Sequence, residues 1–112
     1  MKTITDEFMK NMLSTIKDYT LVLLKTGPVT DHPERQSIIW EHGRRNFALR
    51  EEGLLSIVCP VSEENNIKGI YIFNADKEQT KEIMQQDPCV MAGIFVVEII
   101  GIRSFPGDRL SQ

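Results

Sequence analysis

Few side chains in this sequence can do chemistry, and they are scattered. The histidines are His32 and His42, and the cysteines are Cys59 and Cys89. Imidazole exchanges protons near neutral pH, so the histidines come first as acid–base candidates. His32 lies between Asp31 and Pro33, in a stretch that reads as a helix start, where it is expected as a solvated cap residue. His42 falls one turn after Ile38 and about two turns before Leu49, on the stripe of a helix that should face a core. A histidine there is either a hydrogen-bonded core residue or a site residue. Asp87 stands between a predicted helix and Pro88, where the helix dipole disfavours negative charge. It is either a turn starter or a carboxylate kept for function. Two distant histidines and two distant cysteines have no metal-ligand spacing. There is no nucleophile–histidine–acid order and no glycine-rich phosphate loop.

The elements that must carry these residues read clearly. The segment from Ile94 to Ile102 is apolar except at Glu98 and Gly101. Phe95, Val97 and Ile99 share one face, with Ile94, Val96, Glu98, Ile100 and Ile102 on the other. Both faces therefore call for burial. Residues 19–26 form a similar strand, residues 54–61 a second strand ending near Pro60, and residues 69–74 a third. Asp31 and Glu34 have capping-box spacing, which predicts a helix from there to Glu52 with Gly53 at C′. Gly43 in mid-helix implies close approach to the sheet or room for a ligand. Asp76 and Gln79 start a helix over 77–86, and Pro88 forbids its continuation. Residues 5–17 form an amphipathic helix capped by Thr5, expected to pack at the domain edge or to reach a partner subunit. The tail from Pro106 is expected to be mobile or an arm on a neighbour.

The order is a helix followed by β-α-β-β-α-β, the ferredoxin-like arrangement within α+β folds. Residues 1–112 read as one domain, with a core of about 19–104, built on a four-stranded antiparallel sheet. Helices can cover only one side of that sheet. The other side would expose Val, Ile and Leu, each contributing roughly 1.5–3 kcal/mol when buried. A homodimer through the open sheet face follows. Glu98 is expected to pair with Arg45 or Arg103, or to line a pocket. A net charge of −3 argues against nucleic-acid or anionic-membrane partners. No apolar run approaches the roughly 20 residues of a membrane span. The absence of a cysteine framework and of a secretory pattern points to the cytoplasm.

Three segments carry a resemblance. They are His42 through Gly53 into LLSIVCP, then GIYIFNADKEQTKEIM, then DPCVMAGIFVVEI. Together they resemble the YciI-like (YCII-related) family of small dimeric α+β barrel proteins over about residues 19–104. The match departs at Cys59, where Gly is common in the family, and at Ile39, where Arg often precedes the histidine by three. The resemblance implies a site built on His42 and Asp87, with Asp87 orienting the imidazole. It implies a cofactor-independent enzyme without metal, doing proton transfer, elimination or isomerisation on a small, possibly aromatic, molecule. One member is linked to dehydrochlorination of a chlorinated hydroxyhydroquinone. The alternatives are a non-catalytic ligand-binding or regulatory dimer and an accessory subunit held by helix 5–17.

Overall fold

The computed structural model describes residues 1–112. Eight elements follow in order: α1 Asp6–Leu13, β1 Lys17–Thr26, α2 Arg35–Glu51, β2 Leu55–Pro60, β3 Ile67–Phe73, α3 Lys77–Gln85, α4 Pro88–Met91 and β4 Phe95–Ser104. The strands form one antiparallel sheet in the order β2-β3-β1-β4. This is the ferredoxin-like α+β arrangement. Pro60 ends the edge strand β2, where its missing donor costs no ladder bond.

Strand alternation decides what the helices cover. Thr20, Val22 and Leu24 of β1 point to the helices and are buried. Their partners across the ladders, Phe73 and Tyr71, are buried beside them. Phe95, Leu55, Met84, Cys89 and Ile94 complete that core. The opposite face carries Leu21, Leu23, Ile57, Ile70, Ile72, Ile100 and Ile102, all left partly or well exposed. Ile70 is 37% exposed and Val96 43%, so this face is apolar and uncovered by helices. No helix is long and apolar enough to cross a membrane.

Several elements differ from the expectations. α1 ends at Leu13 and not at residue 17; Lys17 and Asp18 already pair in β1 with Ser104 and Arg103. Thr5 caps α1, accepting from the Phe8 N–H at 3.1 Å, yet no residue of α1 is buried. The helix therefore stands off the body instead of packing on its edge. A compact chain of this length has a radius of gyration of roughly 13 Å, and the observed 16.5 Å reflects that projection. The Asp31–Glu34 capping box does not form. The chain turns there through His32, whose Nδ1 accepts the Glu34 N–H, and α2 begins at Arg35. Gly53 does sit at C′ with φ of 78°, its N–H bonded to the Arg50 carbonyl. Glu98 pairs with neither arginine. It meets Lys25 at 2.5 Å, diagonally across the open face. The tail folds back, with Phe105 and Leu110 lining a cavity of about 430 Å³ over Tyr19 and Ile72.

Candidate active site

Asp87 owes its position to a short helix that the sequence conceals. It follows the C-cap of α3, its N–H bonded to the Met84 carbonyl at 3.1 Å, as the sequence suggested, but it is also the N-cap of α4, with Pro88 in the first helical turn. Its Oδ1 accepts the N–H groups of Cys89 at 2.8 Å and Val90 at 3.3 Å. A carboxylate is favoured at such a position, so its charge needs no functional reason there. Oδ2 remains free to face α2 and accepts His42 Nδ1–H at 2.6 Å. The carboxylate is fully buried and His42 is 6% exposed. A buried charge persists only when paired and hydrogen-bonded, and both conditions hold for Asp87.

The other ring nitrogen is occupied as well. The Tyr71 hydroxyl lies 3.1 Å from His42 Nε2, and the Asn46 amide donates to the Tyr71 oxygen at 3.3 Å. With Asp87 accepting at Nδ1, the neutral ring carries its proton on Nδ1 and accepts from Tyr71 at Nε2. Phe95 packs its ring against the imidazole at a centroid distance of 5.6 Å and 62°. Over the Phe95 ring lies the Arg35 guanidinium at 6.0 Å, two helical turns before His42 on the same stripe. Asn46 Oδ1 is buried without a donor.

Tyr71, Asn46, Phe95 and Arg35 escaped the sequence reading. One local signal was available for Tyr71. Gly69 shares its face of β3, and a Cβ built there would come within 3.1–3.3 Å of the Tyr71 ring and hydroxyl. A side chain at 69 would press on the ring that lies along the strand toward His42, and glycine leaves it room. Asn46 lies one turn after His42 on the same inward stripe of α2 and is buried.

Tyr71 and Cys89 show what the surroundings do to a proton. Burial, with the Asp87 charge adding to it, pushes the Tyr71 phenol up to about 12 from 10, against the Asn46 hydrogen bond. Burial, then Asp87, pushes the Cys89 thiol up to about 12 from 9, with Arg35 opposing. Both groups hold their protons in the folded chain after the unfolded chain has released them. Stability is therefore complete below pH 9 and lost as pH rises toward 12. The Tyr71 share is on the order of 2–3 kcal/mol. Urea midpoints measured from pH 9 to 12 should fall steeply for wild type and less steeply for Tyr71→Phe.

His42, Asp87 and Cys89 offer ligand atoms within 4.8 Å of one another. His42 Nδ1 and Asp87 are already bonded to each other, Asp87 Oδ1 is held by amides, and the Cys89 thiol keeps its proton. These groups form a hydrogen-bonded cluster in which the Asp87 carboxylate joins His42 to the start of α4. His32 stands apart from it in the turn before α2. None of the four principal cavities is lined by His42. The short hydrogen bond that His42 and Asp87 would need is present, and none of those four cavities reaches the imidazole.

The architecture is a ferredoxin-like α+β fold, a four-stranded antiparallel sheet with helices on one face. A solved structure with this fold is 5-chloro-2-hydroxyhydroquinone dehydrochlorinase from Burkholderia phenoliruptrix, in complex with 2,5-dihydroxybenzoquinone. The two superpose with a TM-score of 0.50 and 16% identity, over 73% of this chain and 90% of that one. At that identity the likeness shows the fold alone. Comparison of the sequence with family models and with curated proteins gives no match.

Proposed function

We propose that this chain is a small acid–base enzyme in which His42 moves the proton and Asp87 fixes its tautomer. The observation that carries this reading is the buried 2.6 Å bond between Nδ1 and Asp87, whose carboxylate is itself locked by two amides. Such a pair orients an imidazole and fixes the tautomer that leaves Nε2 as the acceptor. The reaction is proton transfer, elimination or isomerisation, needing no cofactor. The substrate is a small molecule. Arg35 and the Phe95 ring at the edge of the site suit a hydroxylated ring that develops oxyanion character. The structural neighbour named above binds a dihydroxybenzoquinone and is named for dehydrochlorination, which supports small-molecule catalysis in this fold. Membership of the YciI-like family, a homodimer across the open sheet face and a cytoplasmic location belong to the same proposal.

Access to Nε2 runs through Tyr71. The hydroxyl must swing aside or pass the proton on, because it now occupies the nitrogen that would meet substrate. The burial of His42 favours a second reading, a ligand-binding or regulatory dimer whose His42 only holds the core. Thermal-shift screening of hydroxylated aromatics against wild type and His42→Gln separates the two. A ligand that stabilises both proteins but is turned over by wild type alone is the expected result. Equal stabilisation of both proteins without turnover overturns the catalytic reading.

A further inference from the structure

Besides the open sheet face, two further apolar surfaces of this chain lie uncovered, and they match one another. On α1, Phe8, Met9 and Leu13 are 51%, 49% and 53% exposed. On the outward side of α2, Trp40 and Phe47 are 69% and 61% exposed and stand two turns apart. Between them lies Gly43, and nothing comes within 4 Å of the place its Cβ would take. The expected close approach to the sheet is therefore absent. Glycine in mid-helix costs about 1 kcal/mol relative to alanine, and no contact within its own chain requires it. The result is a groove of about 480 Å³ lined by Gln36, Ile39, Trp40, Gly43, Arg44 and Phe47.

We propose that this groove receives α1 of a second copy of the chain, so that the N-terminal helix is an exchanged arm. Charge order selects the direction. The groove rim carries Glu41 and Arg44, which pair with each other at 2.8 Å while both remain exposed. Such a surface pair is worth little and exchanges partners readily. α1 carries Asp6 and Glu7 in its first turn and Lys10 in its last. Laid antiparallel to α2, it sets Asp6 and Glu7 beside Arg44 and Lys10 beside Glu41. Phe8 and Met9 then lie over Gly43, with Leu13 toward Gln36 and Trp40. Antiparallel placement also opposes the two helix dipoles. The lengths agree, since eight residues of helix span about 12 Å and Gln36 to Phe47 about 16 Å. α1 does not cover its own α2. Three residues tether Leu13 to Lys17, and the molecule is 57 Å long with α1 held off its body.

This inference does not rest on the acid–base reading. Two full-length chains with different affinity tags, one carrying Leu13→Cys and the other Gln36→Cys, are co-expressed and oxidised. A mixed disulfide carrying both tags is expected, absent when either variant is expressed with wild type. Adding Trp40→Asp to the Gln36→Cys chain should lower its yield at least tenfold. Absence of the mixed disulfide overturns the proposal. So does a concentration-independent cross-link within single chains carrying both cysteines, which would mean docking on the same chain. Sedimentation of wild type as a monomer at the same concentration overturns it too.

Discussion

Asp87→Ala is expected to lower the unfolding free energy by about 2–4 kcal/mol, the cost of a buried ring N–H left without an acceptor together with the loss of a helix cap. The loss has two sources in the structure. His42 Nδ1–H keeps its burial but loses its acceptor at 2.6 Å. The N–H groups of Cys89 and Val90 lose their cap, at a typical cost of about 1 kcal/mol. Asp87→Asn should cost less. Its amide oxygen can still accept from α4, while its NH₂ faces a ring nitrogen that now carries a proton. The ring must change tautomer to satisfy it, which also turns Nε2 from an acceptor into a donor toward Tyr71. Urea denaturation of wild type, Asp87→Ala and Asp87→Asn gives the order directly. A loss below about 1 kcal/mol for Asp87→Ala would mean that the carboxylate does not hold α2 to α4.

Much of the fold was readable because a strand states its own periodicity. Leu21 to Leu24 and Ile94 to Ile102 are apolar on both sides, which marks β1 and β4 as strands calling for cover on both faces. That β4 lies at the edge beside β1 is a matter of strand order, a tertiary fact that no local pattern carries. The partner of Glu98 was lost for the same reason. Lys25 reaches it only in the register that sets Leu23 opposite Glu98. α4 was hidden by the two meanings of proline. Pro88 ends α3, but the same fixed φ begins a helix, and an aspartate before it is a good N-cap. Asp31 and Glu34 show the reverse failure, where correct spacing was defeated by a turn closed on His32. α1 was legible as an amphipathic helix but not as an uncovered one, since amphipathicity says that a face wants cover and not whose.

His42→Gln is expected to reduce turnover of the ligand found by thermal shift on the order of 10²–10⁴-fold, the usual contribution of a positioned general acid or base. The substitution is chosen to leave the rest of the cluster in place. A glutamine amide can donate toward Asp87, so the carboxylate is not stranded, but it cannot exchange a proton near neutral pH. The loss should fall on the rate of the chemical step more than on KM, because the ring contacts at Phe95 and the charge of Arg35 remain to hold the ligand. Removal of the carboxylate in Asp87→Asn should reduce the same step through the wrong tautomer, with ligand binding again spared. Steady-state kinetics with exchange of the substrate proton into deuterated solvent measures the step itself. A fall of less than tenfold in His42→Gln would assign proton transfer to another group. Tyr71→Phe then identifies it, since that hydroxyl is the group already in contact with Nε2.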